Sequence, residues 1–363
     1  MRVVVTGSAG RLGRSVVRGL TDAGHEVAAV DRVPTPEPAA SEHLVDLADQ
    51  PATDALFAEV RPDALVHLAG IAVPFSAPER DIIVTNTTLG YGVLASAAAH
   101  GATRVLAASS PTILGYGIPS WRAQYAPLDE AHPVSPWNAY ALSKVVIEQE
   151  VAMFGRAADT DGPVFGAFRP CYVISPEEWQ GALTQQGHTV AERLADPALA
   201  AVSLFNYVDA RDAAGFVDTW LHAAPELPQG ETFFVGAADA MATRPVAELW
   251  REYLPALGEA GAHRIALCFI RRFVEIGVAE PGAAIGKAGK LVLGGVDIGE
   301  IGIGIELAQP RMGIAVIGED MAGGGIVGDA LFAHRRIDAV GGDEEGGLVD
   351  PGGGKAGDDH VGA

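Results

Sequence analysis

Two side chains four residues apart, Tyr140 and Lys144, are the strongest chemical signal in this sequence. Prolines stop shortly before them, so we predict a helix from about Asn138 to Phe154. Positions i and i+4 share one helix face, and an ammonium group beside a phenol favours its tyrosinate form. Such a tyrosine can exchange a proton with a substrate hydroxyl or carbonyl near neutral pH, whereas an ordinary surface pair is the structural alternative. The lysine is the single one among residues 1–263, which hold 15 arginines, and this favours the catalytic interpretation.

A glycine-rich turn near the start of the chain indicates a dinucleotide site. It follows a short apolar run at Arg2–Val5 and precedes a helical apolar pattern at Arg14–Leu20. Strand, turn and helix in this order allow a tight turn, close approach of the backbone to a pyrophosphate, and tight packing of helix on strand. The spacing is GxxGxxG, and a purely structural turn is the alternative. The predicted cofactor contacts in the turn are Gly7, Ala9, Gly10, Arg11, Leu12 and Gly13.

An acidic residue, Asp31, ends the next apolar run, 18 positions after Gly13. A carboxylate at this place can accept hydrogen bonds from the adenosine ribose and would repel a 2′-phosphate, so we predict NAD. The neighbouring Arg32 leaves NADP as the alternative. Asp46 and Leu47, at the end of the third apolar run, are predicted to lie near the adenine.

Short apolar runs alternate with helical patterns through the first 170 residues. This alternation predicts an α/β fold, a doubly wound, Rossmann-like parallel sheet with helices on both faces. We assign residues 1–170 to the NAD(P)-binding domain and residues 171–262 to a small substrate-binding portion, with the sixth strand at their junction. After the first strand and helix, the predicted strands are 27–31, 42–47, 64–70, 104–110 and 164–169, and the predicted helices are 51–60, 82–100 and 138–154.

Composition limits the partners and the compartment. A net charge of −21 over 363 residues argues against nucleic acids and anionic membrane surfaces, which select basic patches. The cysteines are only Cys171 and Cys268, so no disulfide framework is indicated. The N-terminus lacks a signal-peptide pattern, and no uninterrupted apolar run reaches about 18 residues. We therefore predict a cytoplasmic protein without nucleic-acid or membrane partners, and we assign no metal ligands.

Taken together, these motifs resemble the extended short-chain dehydrogenase/reductase family, also called the NAD-dependent epimerase/dehydratase family. The resemblance covers about residues 1–255. It rests on the glycine turn, Asp31, the turn His67-Leu68-Ala69-Gly70, Asn86, Ser109-Ser110 and the pair Tyr140/Lys144, which occur in the family's order.

The resemblance implies a role for each of these residues. Tyr140 would be the catalytic acid/base, and Lys144 would bind the nicotinamide ribose and lower the pKa of the tyrosine. Ser110, identified by counting back from Gly115, would hydrogen-bond the reacting oxygen. His67 is expected to be a packing residue at a strand end, and the helix 82–100 would form a homodimer by analogy with the family. Further implied cofactor contacts are Leu68, Ala69, Gly70 and Asn86.

Within the family, the sequence looks most similar to uronate dehydrogenases, which oxidise a free sugar acid with NAD. Those enzymes meet the substrate carboxylate with an arginine, but Ser175–Gly187 here contains neither Arg nor Lys. Nucleotide-sugar epimerases usually carry an Asn where this chain has Cys171-Tyr172. The expected function is NAD(P)-dependent oxidoreduction or epimerisation of a sugar, sugar acid or nucleotide-sugar, and the alternative is a non-catalytic NAD(P)-sensing protein. Trp121, Trp179 and Gln180 are candidates for lining a sugar pocket, with buried anchors as the structural alternative.

The character of the sequence changes at about Arg264. Residues 264–363 hold 24 of the 45 glycines and no Trp or Tyr. Dense glycine raises the entropy cost of ordering a backbone. The three interpretations are a flexible tail, a small accessory β-domain or oligomer element built on the alternation of Ile and Gly, and out-of-frame translation after Ala262. The abrupt change favours the last. We assign no function to this atypical Gly-rich tail, residues 263–363.

Overall fold

The computed structural model describes residues 1–118, 120–125, 128–159 and 162–254. The three interpretations of the glycine-rich tail, residues 263–363, concern a segment that lies outside the described residues.

Strands and helices alternate along the described chain, as the apolar pattern predicts. In chain order they are β1 (Arg2–Thr6), α1 (Arg11–Asp22), β2 (Glu26–Asp31), β3 (Ser41–Leu44), α2 (Gln50–Val60), β4 (Ala64–His67), α3 (Glu79–Ala99), β5 (Arg104–Ala108), α4 (Ala139–Ala157), β6 (Val164–Pro170), β7 (Val173–Ile174), α5 (Pro176–Trp179), α6 (Val190–Ala195), α7 (Pro197–Ala201), β8 (Val208–Asp209), α8 (Ala210–Ala223), β9 (Glu231–Val235) and α9 (Val246–Tyr253). Short 3-10 turns lie at Pro111–Leu114 and Ala224–Glu226.

Within the described residues, seven parallel strands form the main sheet in the order β3-β2-β1-β4-β5-β6-β9. The register places Thr6, at the end of β1, between Val30 of β2 and His67 of β4. The strand order reverses at β1, and open α/β sheets bind ligands outside the carboxyl ends of their strands at such a reversal. The predicted doubly wound, Rossmann-like α/β fold is therefore confirmed.

Helices cover both faces of the main sheet. Val3–Val5 in β1 are all fully buried, which is the continuous apolar pattern of a strand covered on two sides. On one face, α1 and α8 pack onto the strands, with Val16 and Trp220 in the same apolar cluster. On the other face, α2, α3 and α4 contribute to a second cluster that includes Phe57 and Ile147. This two-sided core holds the carboxyl ends of the strands in fixed positions.

A third apolar cluster forms a core for much of the chain after β6. It joins the turn after β5 to β7, to the short helices α6 and α7, and to α9. Strands β7 and β8 pair in parallel as a separate two-stranded sheet. The segment after residue 170 also returns to the main sheet, since β9 pairs with β6 and α8 packs on α1. The proposed substrate-binding portion is thus interleaved with the sheet, an arrangement that the local apolar pattern did not indicate.

Several element boundaries differ from the prediction. β3 ends at Leu44, because the chain then forms a turn in which Asp46 accepts backbone N–H groups from Ala48 and Asp49. β5 ends at Ala108, so the serine pair follows the strand instead of closing it. α3 begins three residues earlier than predicted, at Glu79, where acidic side chains suit the positive end of the helix dipole.

One described helix, α3, is long and apolar enough to cross a membrane by length and composition alone. Half of its most apolar window is buried inside the protein, where it packs on α4 and α2. This is the pattern of a core helix in an α/β fold.

Candidate active site

The glycine turn connects β1 to α1 through backbone contacts that leave no room for side chains. A Cβ atom at Gly13 would lie 2.0 Å from the carbonyl oxygen of Gly7, and one at Gly7 would lie 2.8 Å from the backbone nitrogen of Ala69. Gly7 also has a φ of +71°, which glycine adopts at little cost. Gly10 precedes α1 and provides no side-chain cap, so the first N–H groups of the helix face the turn without a side-chain acceptor.

Two arginines in the first turn of α1 form ion pairs with the segment that follows β6. Arg11 donates a hydrogen bond to Glu178, and Arg14 donates one to Glu177, both on α5. Leu12 packs against the apolar cluster beneath α1. The structure thus gives Arg11 and Leu12 protein neighbours, and their contact with a cofactor stays a prediction.

Asp31 lies at the end of β2 and faces the glycine turn. Its Oδ2 accepts the backbone N–H of Ala9 at 3.1 Å, and its Oδ1 accepts that of Arg32 at 2.7 Å. A carboxylate offers about four lone-pair sites, so two further donors can be accepted. This geometry holds the carboxylate in place and keeps it able to accept ribose hydroxyls.

The residues predicted to lie near the adenine have different surroundings. Asp46 is exposed and accepts the backbone N–H of Ala48 at 3.1 Å. Leu47 is buried and belongs to the same core cluster as Val30 and Leu56. Leu47 therefore packs in the core, and adenine contacts by these two residues stay a prediction.

Thr6 organises the turn that follows β4. Its Oγ1 accepts the backbone N–H groups of Leu68 at 3.2 Å and Ala69 at 3.3 Å, and lies 2.8 Å from Nδ1 of His67. Burial, together with the charge of Lys144, lowers the pKa of His67 to about 3, so its imidazole is neutral at pH 7. His67 thus serves as a strand-end packing and hydrogen-bonding residue, as expected.

Asn86 connects that turn to the start of α4. Its Oδ1 accepts the N–H of Ile71 at 2.7 Å, and its Nδ2 donates to the Ile71 carbonyl at 3.1 Å and to Ser143 Oγ at 3.0 Å. Ser143 in turn donates to the carbonyl of Tyr140 at 2.7 Å. The amide thus joins the loop after β4 to α4, and its predicted contact with the cofactor stays a prediction. Gly70 lies beside Asn86 and has a φ of +154°. A Cβ atom added at Gly70 would lie 3.0 Å from Asn86 Oδ1.

Ser110 and Tyr140 are brought together by the turn after β5 and the first turn of α4. Ser110 Oγ accepts the Thr112 hydroxyl at 2.9 Å and the Thr112 N–H at 3.3 Å. Because these donors occupy its lone pairs, its own hydrogen is free to be donated toward Tyr140, an interaction that lowers the pKa of the phenol. Asn138 caps α4 by accepting the N–H of Ala141 at 2.8 Å, which fixes the helix just before the tyrosine.

Lys144 lies one turn after Tyr140 and is equally buried, since 6% of the lysine and 7% of the tyrosine is exposed. Its Nζ donates to the carbonyl oxygen of Ala108 at 2.9 Å and lies 5.8 Å from the centre of the Tyr140 ring. The shared helix face predicted for the pair is observed, and the alternative of an exposed surface pair is excluded by the burial.

The lowering of the pKa of Tyr140 by Lys144 that the resemblance implies stays a prediction. Burial raises the pKa of Tyr140 above its ordinary value, and the hydrogen bond with Ser110 offsets part of that increase. The ammonium group is held by the Ala108 carbonyl, and burial lowers the pKa of Lys144 to about 8. Burial is therefore the largest cause of both pKa shifts.

A buried ion pair supports the end of β5 and was missed by sequence reasoning. Arg169, at the end of β6, donates from Nε and Nη2 to the two carboxylate oxygens of Glu148 on α4, at 2.8 and 2.9 Å. Ser109 donates its hydroxyl to the same carboxylate at 2.6 Å. The guanidinium also stacks on the ring of Phe234, 5.0 Å from its centre. This network joins β5, β6, β9 and α4 directly beneath Ser110, and no local pattern links residues so far apart in sequence.

The tryptophans proposed for a sugar pocket serve as anchors. Trp121 is half-buried and donates its Nε1 to the Leu114 carbonyl at 2.6 Å. Trp179 is 38% exposed and packs edge-on against Tyr207, with ring centres 5.7 Å apart. Gln180, beside it, is exposed. Their contact with a sugar stays a prediction.

A group of potential metal ligands lies at the opposite edge of the sheet. His25, before β2, approaches Asp218 on α8 with 2.7 Å between Nε2 and Oδ1, and His222 lies one turn further along α8. The positions are 193 residues apart, so no sequence spacing indicates the cluster. His222 Nδ1 lies 2.9 Å from the backbone carbonyl oxygen of Asp218, and the prediction of no metal site stays a prediction.

A model of the NAD dependent epimerase/dehydratase family matches residues 3–236. This stretch is well over half of the chain and includes the glycine turn, Ser110, Tyr140 and Lys144. The chain belongs to this family. Its membership confirms the resemblance read from the sequence, and the family is NAD-dependent, as predicted for the cofactor.

Curated relatives within the family are named as UDP-glucose 4-epimerases. UDP-glucose 4-epimerase 2 of Arabidopsis thaliana is 30% identical over 164 residues, which is 40% of this chain and 45% of that protein. UDP-glucose 4-epimerase of Mus musculus is 31% identical over 177 residues, 43% of this chain and 49% of that protein. The chain thus matches less than half the length of these relatives.

Solved structures of the superfamily share the fold. A short-chain dehydrogenase/reductase superfamily protein from Agrobacterium tumefaciens with bound NAD is 23% identical, with a TM-score of 0.51 over 66% of this chain and 78% of that one. UDP-glucose-4-epimerase from Stenotrophomonas maltophila with bound NAD and formylated UDP-arabinopyranose is 18% identical, with a TM-score of 0.53 over 65% and 78%. These likenesses support the epimerase/dehydratase architecture of the sheet and its helices.

The residues present fit the NAD of an epimerase/dehydratase. The glycine turn leaves space for the cofactor. A Cβ atom at Gly10 would reduce that space, because it would lie 3.1 Å from the carbonyl oxygen of Gly7. The N–H groups at the start of α1 and the positive end of its dipole suit a pyrophosphate. Asp31 suits the ribose, and Lys144 lies beside Tyr140 at the same edge of the sheet.

Proposed function

We propose that this chain is an NAD-dependent enzyme that oxidises or epimerises a carbon of a sugar, sugar acid or nucleotide-sugar. The observation that carries the proposal is the buried group formed by Ser110, Tyr140 and Lys144. Ser110 follows the carboxyl end of β5, and the other two residues lie at the start of α4, on the same edge of the sheet as the glycine turn. Family membership and the names of the relatives support the same reaction class.

Tyr140, in its deprotonated tyrosinate form, is the group that removes a proton from the substrate hydroxyl. Its hydrogen bond with Ser110 stabilises the tyrosinate that proton transfer requires, because the serine hydrogen is donated to the phenolic oxygen. Ser110 can turn the same hydrogen toward the reacting oxygen of the substrate. A buried ammonium on the next turn favours the anion further once a ligand displaces the Ala108 carbonyl from Lys144.

NAD, when bound, supplies the hydride acceptor of this reaction. The chain holds the reacting groups in place around it: the glycine turn and Asp31 bind and orient the nucleotide, and the Thr6 and Asn86 networks fix the loops on either side. Burial of Tyr140 and Lys144 keeps water away from the transfer.

The segment from residue 171 to 262 is proposed as the substrate-binding portion. Its helix α5 is joined to α1 through Arg11–Glu178 and Arg14–Glu177, so substrate-side and cofactor-side elements are held together. The relatives favour a nucleotide-sugar, whereas the sequence similarity to uronate dehydrogenases favours a sugar acid. Both substrates present a ring hydroxyl to Tyr140.

The test is a substrate panel with the full chain. UDP-glucose, UDP-galactose, glucuronate and galacturonate are each supplied with NAD or NADP, and reduced cofactor and epimeric products are measured. We expect turnover of one panel member with NAD and a loss of at least about a hundredfold in Ser110→Ala, the ordinary size of a lost acid–base or oxyanion contact. Tight NAD binding with no turnover of any member would instead support the non-catalytic NAD-sensing alternative.

A further inference from the structure

Two large aromatic side chains lie exposed at the carboxyl edge of the main sheet. Phe75, in the loop between β4 and α3, is 59% exposed, and Trp137, just before α4, is 41% exposed. Their ring centres are 5.6 Å apart and the rings are tilted by 44°. Exposed aromatic surface of this size costs hydrophobic stabilisation, and contiguous exposed apolar groups in a soluble protein commonly mark a binding site. We call this pair the aromatic platform.

The backbone at Phe75 is held in a conformation that disfavours its side chain. Ser76 donates its backbone N–H to the Val73 carbonyl at 3.3 Å and its hydroxyl to the same oxygen at 2.8 Å, which closes a β-turn. Pro74 and Phe75 occupy the central positions, and Phe75 has a φ of +62°. Glycine or asparagine is the ordinary residue at this position of a turn with proline before it. Retention of phenylalanine at a strained, exposed position therefore points to a function for its ring.

Trp137 is held in place by a hydrogen bond from its indole nitrogen. Its Nε1 donates to the Tyr116 carbonyl at 3.3 Å, so the polar atom of the indole is satisfied by the protein. The preceding Ser135 donates its N–H to the carbonyl of Ile113, in the turn that starts at Ser110, at 2.8 Å. This anchoring presents the indole as a preformed surface.

The aromatic platform adjoins the catalytic group. Trp137 lies three residues before Tyr140, just outside α4. Its partner Tyr116 has a side chain near the same site, since burial, followed by the charges of Cys171 and Tyr140, raises the pKa of Tyr116. Glu79, at the start of α3, accepts the backbone N–H of Ala139 at 2.6 Å, which draws the end of the Phe75 loop to the start of α4. The two loops that carry the platform are thus both joined to the start of α4, whose first turn holds Tyr140.

We propose that Phe75 and Trp137 stack on the C–H face of the substrate's sugar ring and orient its hydroxyl toward Tyr140. This inference rests on the proposed function and specifies the part of the substrate that these residues recognise. A sugar ring presents a flat C–H face that aromatic rings cover, while its hydroxyls hydrogen-bond elsewhere in the site. The platform is a specificity element, and Tyr140 and Ser110 remain the reacting groups.

Phe75→Gly separates a binding role from a structural one. Glycine relieves the positive φ, so the variant should unfold at the same temperature as the wild type or slightly higher. Phe75→Tyr keeps the ring and should retain binding. Arg61→Gly is the matched control, because Arg61 is also exposed, has a φ of +46°, and lies at the end of α2 away from the platform.

The measurement is saturation-transfer NMR on the full chain in the presence of NAD, with UDP-glucose and glucuronate as probes. We expect transfer to sugar-ring protons in the wild type, a rise of about tenfold in Kd for Phe75→Gly, equivalent to about 1.4 kcal/mol, and no change for Phe75→Tyr or Arg61→Gly. An unchanged Kd in Phe75→Gly, or no transfer to sugar protons of either probe in the wild type, would overturn the inference.

This experiment measures binding of the sugar probes and does not require turnover. Failure of the proposed reaction would show as sugar binding without product, whereas failure of the platform would show as product formed with unaltered affinity in Phe75→Gly. A lower thermal midpoint for Phe75→Gly than for the wild type would also overturn the proposal, because it would assign the ring a packing role.

Discussion

Replacement of Lys144 by methionine is predicted to stabilise the fold while it removes activity. The ammonium group is almost fully buried and donates a hydrogen bond to the Ala108 carbonyl. Burial lowers its pKa from an ordinary value of 10.5 to about 8. A lysine that only tied two elements together would lower stability when removed, so the sign of the change distinguishes the two roles.

The size of the expected stabilisation follows from the pKa of Lys144. At pH 7 the difference between 10.5 and about 8 corresponds to about 3 kcal/mol of destabilisation of the folded state, at about 1.4 kcal/mol for each pKa unit. Loss of the bond to Ala108 costs about 1–2 kcal/mol. Methionine has a similar length and fills the same space, so Lys144→Met should be about 1–2 kcal/mol more stable, a rise of about 2–6 °C in Tm for a unit of this size.

The pH dependence gives a second check. Because the pKa of Lys144 is lower in the folded than in the unfolded state, its buried charge destabilises the fold fully below about pH 8. This destabilisation disappears as pH rises from there toward 10.5. Thermal unfolding of Lys144→Met and wild type between pH 7 and pH 10 should therefore give midpoints that converge at high pH. Arg156→Met, an exposed position in the last turn of the same helix, is the control and should change little. A lower Tm for Lys144→Met at pH 7, or a difference that does not vary with pH, would refute the reasoning.

Three other substitutions test the glycine turn, the buried ion pair and the proposed homodimer. Gly13→Ala should lower Tm by several degrees and abolish stabilisation by NAD, because its Cβ would lie 2.0 Å from backbone atoms. The control Gly215→Ala, with nothing within 4 Å of the added Cβ, should be neutral or stabilising. Equal stabilisation of both variants by NAD would contradict this. Glu148→Gln should cost about 3–5 kcal/mol by leaving Arg169 buried without its carboxylate, and a Tm within about 2 °C of wild type in differential scanning calorimetry would be inconsistent with that role. Tyr91, 53% exposed on α3, should lie in a homodimer interface, so Tyr91→Glu should elute as a monomer in size-exclusion chromatography while the wild type elutes as a dimer.

The parts of the fold that could be predicted from sequence are those encoded over a few residues. A continuous apolar run such as Val3–Val5 specifies a buried strand, and the order strand, glycine turn, helix specifies the cofactor end of the sheet. The i, i+4 spacing of Tyr140 and Lys144 is likewise local, and the structure shows both on one buried face. The family's sequence of motifs then located Ser110 beside them.

What could not be predicted depends on packing between distant segments. The pairing of Glu148 with Arg169 requires α4 to lie on β6, and the return of β9 to the main sheet requires a register that no single segment specifies. The direction of the Tyr140 pKa depends on how much water its neighbours exclude. Phe75 was overlooked because a single residue with positive φ leaves no periodic signal.

The central claim is that Tyr140 transfers the substrate proton in an NAD-dependent reaction. The most direct measurement compares wild type and Tyr140→Phe, both saturated with NAD, for product formation from the sugars of the panel, with stabilisation by NAD recorded for each. The account predicts equal stabilisation by NAD and a loss of about a thousandfold or more in the turnover number of Tyr140→Phe. Turnover within a few-fold of wild type by a variant that binds NAD normally would contradict it.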